Sequence, residues 1–187
     1  MRRPKRGASA GSGFKARPLP DDRAASEDAA KEAALRILER GPRTEREITD
    51  RLLARGYVLD AVERALERLR RVSLLDDRAF VRSYLRTELT RRPQGRRLLG
   101  MKLKRRGVPP PLVAEMDALL QEDPDLADRA LESEVGRARA ALSELGRKNV
   151  GRDPVARRRR LTGALLRRGF VWDTIRDVMG EEPEPEP

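Results

Sequence analysis

The residues best able to do chemistry in this chain are arginines and lysines, and they come in two runs. Arg91, Arg92, Arg96, Arg97, Lys102, Lys104, Arg105 and Arg106 crowd the stretch TRRPQGRRLLGMKLKRRG. Arg157, Arg158, Arg159 and Arg160 stand side by side further on, followed by Arg167 and Arg168. Guanidinium and ammonium groups in such density recognise phosphate and carboxylate. They do not turn substrate over without a base or nucleophile beside them. Histidine and cysteine are both absent, which excludes Ser-His-Asp and Cys-His catalysis, disulfides and thiolate metal sites. Asp76, Asp77, Glu122, Asp123 and Asp125 invite a metal reading. Nearly all stand at expected helix starts, however, where capping accounts for them. Gly11-Ser12-Gly13 has no strand before a helix and so makes no phosphate loop. A binding protein is therefore expected, with no enzyme activity, cofactor or metal.

The charge agrees with a polyanionic partner. Apolar residues make up 38% of the 187 and charged residues 39%, with a net charge of +11 and an isoelectric point near 10.9. That field favours nucleic acid or an acidic protein surface. No apolar run approaches the roughly 20 residues needed to span a bilayer. The basic start MRRPKR lacks the apolar segment of a secretory signal, so a cytoplasmic location is expected. So low an apolar share predicts several small cores rather than one large one. The three Phe, two Tyr and one Trp leave little for base stacking, and the basic helices nearly lack Asn and Gln. Contact with naked DNA should be phosphate-driven, salt-sensitive and nonspecific.

The elements that position these cations are short helices. Residues 1–25 read as a disordered basic arm and Glu181–Pro187 as a disordered acidic tail. Ser26 caps a helix that Gly41-Pro42 stops. Thr44 and Glu47 form a capping box for a second helix ending at Gly56, and a third runs over about Leu59 to Val72. Asp76 caps the next helix, which ends near Pro93. Another runs from about Gln94 to Arg106, and Pro109-Pro110-Pro111 opens a third. Asp123-Pro124 then opens a long helix to about Leu145, with Leu126, Leu131, Val135, Ala138 and Leu142 inward. Asp153-Pro154 begins the helix that carries the second arginine run.

Aligning three glycines exposes an internal repeat. Gly56, Gly107 and Gly169 are each preceded by arginine: Arg55, Arg106 and Arg168. Four residues before each glycine is Leu52, Leu103 or Leu165, and eight before is Ile48, Leu99 or Leu161. Tyr57, Val108 or Phe170 follows directly, and Val62, Val113 or Ile175 falls on the next helix. The offsets describe an inward apolar pair one turn apart, a left-handed stop and an apolar staple. The arginine before each stop is assigned to folding, since a cation in the last turn complements the helix dipole. Three tandem three-helix repeats follow, over residues 26–72, 73–121 and 122–180, forming an elongated, curved all-α array.

With these motifs in view, the chain resembles RecX, the bacterial family that regulates the recombinase RecA. The resemblance spans about Ala29 to Met179. It rests on Leu75, Asp76, Asp77 and Phe80, then on Gly95, Arg96, Arg97, Leu98 and the stop at Gly107. Pro109-Pro110-Pro111 departs from the family's more varied helix start. The likeness implies a monomer that lodges in the groove of the RecA–single-stranded DNA filament. There it would inhibit ATP hydrolysis, strand exchange and co-protease activity, and so modulate DNA repair, homologous recombination and the SOS response. It implies Arg91, Arg92, Arg96, Arg97, Lys102, Lys104, Arg105 and Arg157 to Arg160 as the filament-binding residues, with only weak binding to single-stranded DNA alone. The same residues also suit a helix-turn-helix-like protein that binds DNA or RNA directly, or an α-solenoid adaptor for an acidic partner.

Overall fold

Local signals set most helix ends. In the computed structural model, which describes residues 19–127, 131–148 and 153–180, all regular structure among those residues is helical. A short α1 (Asp21–Ala24) precedes the first module, made of α2 (Glu27–Leu38), α3 (Glu45–Leu53) and α4 (Leu59–Arg71). The Ser26 hydroxyl accepts the Ala29 N–H at 3.2 Å. The Thr44 hydroxyl accepts the Glu47 N–H at 3.2 Å, and the Glu47 carboxylate accepts the Thr44 N–H at 3.4 Å, closing the capping box. The second module comprises α5 (Asp77–Arg91), α6 (Arg96–Arg105), α7 (Pro110–Ala114) and α8 (Met116–Gln121). Asp76 caps α5 by accepting the Arg78 and Ala79 N–H groups at 2.8 and 3.0 Å. After α9 (Pro124–Ala127) comes the third module, α10 (Glu134–Lys148), α11 (Pro154–Arg167) and α12 (Trp172–Met179), with Asp153 capping α11.

Each module has its own small core. Ala34, Ile48, Leu52, Val62 and Leu69 centre the first. Phe80, Leu85, Leu99, Leu103 and Met116 centre the second. Ala138, Ala141, Leu165, Phe170 and Ile175 centre the third. Leu52, Leu103 and Leu165, equivalent in the repeat, are fully buried. Replacing any one with alanine should cost about 2–5 kcal/mol. Gly56, Gly107 and Gly169 stand at φ +93°, +78° and +84°. The N–H of the next residue then reaches back to Leu52, Leu103 or Leu165 at 3.2, 3.1 and 3.3 Å. These are the left-handed stops that the repeat implies.

Three expectations need correction. Helical structure begins inside the supposed arm: Ala24 is buried, its carbonyl accepts the Val58 N–H at 3.0 Å, and Leu19 packs on the first core. Residues 1–18 and the acidic tail 181–187 lie outside the described residues. The long helix from Pro124 is two, α9 and α10, with residues 131–133 non-helical and α10 running past Leu145. Leu126 and Leu131 bury themselves in the second core, so the chain must turn before entering the third, and the Ser133 hydroxyl restarts it by accepting the Gly136 N–H at 3.0 Å. Finally, the helix after the triple proline breaks at Glu115, dividing α7 from α8.

The modules join in a repeated way: each closing Arg-Gly turn seats against the start of the preceding module's middle helix. At the first joint the Thr44 hydroxyl donates to the Arg106 carbonyl at 2.6 Å, and the Glu45 N–H donates to Asp77 at 2.9 Å. At the second, the Gly95 N–H donates to the Arg168 carbonyl at 2.9 Å and the Arg97 N–H to the Gly169 carbonyl at 3.2 Å. A Cβ on Gly95 would lie 2.3 Å from Gly169 backbone atoms, so only glycine lets the two backbones meet.

Candidate polyanion-contact surface

Helix α6 presents three sides, because each residue turns it by about 100°. Leu99 and Leu103 face the core. Leu98 and Lys102 face α11. Arg97, Met101 and Lys104 face outward, and all three are exposed. Lys104 and Arg105 make no ion pair among the described residues. Arg97 lies across the second joint with a long contact to the Leu166 carbonyl at 3.5 Å. This outer side borders a largely apolar groove of about 800 Å³ whose lining includes Met101, Val113, Met116 and Val171.

The remaining expected contact residues divide. Arg91 ends α5 and is exposed, and Arg92 follows it in extended conformation. Arg159 and Arg160 are exposed on α11 without a described ion-pair partner. Arg157 is exposed on the same helix and interacts within the chain. Three others are committed internally. Lys102 pairs with Glu88 and donates to the Gln94 side-chain oxygen at 2.6 Å. Arg158 donates to the Met179 and Gly180 carbonyls at 3.0 and 2.5 Å, closing the end of α12. Arg96 is exposed but pairs with Asp117 at 2.7 Å. Acids thus enter the basic surface from neighbouring helices, Glu88 from α5 and Asp117 from α8. Burial pushes the Glu88 carboxyl up, and its bonds to Lys102 and Gln94 outweigh that and hold it below its ordinary value.

The arginines before the closing glycines serve the fold in two modules. Arg106 lies over Phe80 and Tyr84, with its guanidinium carbon 5.2 and 5.6 Å from the ring centres, and pairs with Glu47 across the first joint at 3.1 Å. Arg168 is buried and donates to Glu144 at 2.9 Å. Arg55 is exposed.

The acids considered for a metal have structural partners instead. Asp76 caps α5, Asp77 accepts the Glu45 N–H, and Asp123 takes Arg86 at 2.8 Å. Glu122 faces Arg78 and Arg82, and Asp125 pairs with Arg86.

One residue escaped sequence reading. Arg137 on α10 is fully buried at the second joint, donating to the Gln94, Leu131 and Glu132 carbonyls at 3.1, 3.1 and 2.9 Å. Burial lowers its affinity for its proton. It gave no sequence signal, since one of several arginines in an alanine-rich helix reads as solvent-facing.

Comparison with known proteins decides the family. The RecX first, second and third three-helix domains match residues 30–69, 76–116 and 132–179. The chain belongs to the RecX family. It is 32% identical over 156 residues to the regulatory protein RecX of Mycolicibacterium smegmatis, covering 83% of this chain and 80% of that one. It is 33% identical over 171 residues to that of Thermobifida fusca, covering 89% and 87%. The crystal structure of RecX from Lactobacillus salivarius superposes with a TM-score of 0.68 at 21% identity, covering 82% of this chain and 94% of that one. A second RecX crystal structure gives 0.65 at 24% identity, covering 83% and 73%. The all-α tandem three-helix arrangement expected from the repeat is thus the fold of the family, whose named members are regulatory proteins. Among the described residues, no helix is long and apolar enough to cross a membrane.

Proposed function

We propose that this RecX-family protein inhibits a RecA recombinase by lodging, as a cytoplasmic monomer, in the groove of the RecA–single-stranded DNA filament. There it restrains ATP hydrolysis, strand exchange and co-protease activity, and so modulates DNA repair and the SOS response without chemistry of its own. The observation that carries the reading is the outer side of α6. Arg97, Lys104 and Arg105 are exposed there without a carboxylate partner among the described residues, beside an apolar groove. That combination suits an assembly presenting acidic and apolar side chains together with DNA phosphates. Tandem modules let several modest contacts act together through effective concentration.

The test is RecA-dependent ATP hydrolysis on single-stranded DNA. The wild type should suppress it at low micromolar concentration. The variant Arg97→Glu/Lys104→Glu/Arg105→Glu should retain its helical content and lose most of the inhibition. Failure of the wild type to inhibit would reject the proposal.

A further inference from the structure

A cleft of about 740 Å³ separates the second module from the third, between α6 and α11. We propose that it binds the sugar-phosphate backbone of single-stranded DNA, seating two or three consecutive phosphates. Of the five guanidinium groups that line it, Arg168 pairs with Glu144, which leaves Arg92, Arg159, Arg160 and Arg167. All four residues are exposed, and none pairs with a described carboxylate. No acidic residue lines the cleft.

The first module shows what a merely solvated arginine surface looks like in this protein. Its cleft of about 800 Å³ holds Arg64, Arg68, Arg70 and Arg71 among Glu27, Glu45, Asp60, Glu63 and Glu67. There each arginine has a partner: Arg64 with Glu27 and Asp60, Arg68 with Glu27, Arg70 with Glu45, and Arg71 with Glu67. The same residue type is neutralised in one place and left uncompensated in the other.

The remaining lining fits a strand read by its backbone. Gly163 and Ala164 leave room on the α11 wall, and Leu98 and Leu145 offer apolar contact for sugar carbons. No aromatic residue lines the cleft, so bases have nothing to stack on. Its volume falls in the ~300–1,000 Å³ range of ligand clefts, which suits a short single strand. Arg92 comes from the second module and the other three from the third, so a bound strand would also hold that joint.

The inference deepens the function proposed above, and its test needs no recombinase. Binding of the full chain to a fluorescein-labelled oligo(dT) is followed by fluorescence anisotropy from low to high salt. The variant Arg159→Gln/Arg160→Gln/Arg167→Gln should bind at least ten-fold more weakly at about 50 mM salt. Its plot of log affinity against log salt should be shallower by about 2, since each single-strand phosphate contact contributes about 0.7. Gly163→Leu narrows the cleft without changing charge, and should weaken binding at least three-fold. Inorganic polyphosphate should compete. Wild-type binding by both variants would overturn the assignment, as would a blunt duplex that binds as tightly as the strand and is weakened equally. Strand binding lost in the variants, in a protein whose wild type leaves RecA hydrolysis untouched, would support the cleft and reject the recombinase reading. Inhibition by the wild type with strand binding unchanged in the variants would do the reverse.

Discussion

The Thr44 hydroxyl donates to the Arg106 carbonyl at 2.6 Å while accepting the Glu47 N–H at 3.2 Å, so one side chain both caps α3 and fastens the first joint. Gly95 occupies the same register position in the second module, and its backbone N–H donates to the Arg168 carbonyl at 2.9 Å. The two joints therefore use the same place in the repeat with different donors. A hydroxyl bridges the first joint, and a bare backbone bridges the second.

Thr44→Val keeps the shape and removes both roles. The Arg106 carbonyl loses its side-chain donor at a buried site, and α3 loses its cap. A loss of about 1–3 kcal/mol is expected in urea unfolding. Thr44→Ser should recover most of it.

Gly95→Ala and Gly100→Ala should behave in opposite ways. A Cβ at 95 meets Gly169 backbone at 2.3 Å, where nothing flexible can give way. The second joint must open, and a cost above about 2 kcal/mol is expected, with faster proteolysis between the modules. A Cβ at 100 finds only Val113 at an ordinary 3.6 Å. That substitution should be neutral or stabilise by up to about 1 kcal/mol, because alanine is the better helix former. Paired thermal melts check both.

Signals that act within a few residues were legible in the sequence. Ser26, Thr44, Asp76 and Asp153 cap the helices they were expected to cap. Gly56, Gly107 and Gly169 take the left-handed stops that the aligned apolar offsets demanded. What depends on a neighbouring module was not legible. The break at 131–133 follows from Leu126 and Leu131 joining the second core, and an apolar stripe does not say which core it enters. The cationic surface was readable as two runs. The loss of Lys102 to Glu88, Arg158 to the end of α12, and Arg96 to Asp117 required knowing which groups face them.

Arg137→Met tests the buried cation at the second joint. Methionine fills much of the volume but leaves the Gln94, Leu131 and Glu132 carbonyls without their donor. The expected loss is about 1–3 kcal/mol in chemical unfolding. Arg137→Lys should recover only part of it, since one ammonium cannot reproduce the planar fork. Hydrogen exchange should quicken at the Gly95 and Arg97 amides, which bond across that joint, and stay unchanged in α2 and α4.

The Lys102–Glu88 pair makes a prediction about acid. The Glu88 carboxyl titrates below its ordinary 4.5 in the folded protein. The pair's contribution is thus present above that ordinary value and is lost as pH falls through the lower, folded one. In Lys102→Met the ammonium is gone, and only the Gln94 hydrogen bond and the Arg91 charge remain to offset the burial that pushes Glu88 up. The variant should be about 1–2 kcal/mol less stable than wild type at pH 7. The gap should close toward pH 3, because protonating Glu88 removes the ion pair from the wild type, whereas the variant has none to lose. Urea unfolding across that range checks the sign. The doubly neutral Glu88→Gln/Lys102→Met should bind oligo(dT) within two-fold of wild type, because Lys102 is already spent on Glu88. A ten-fold loss would instead return Lys102 to the contact surface.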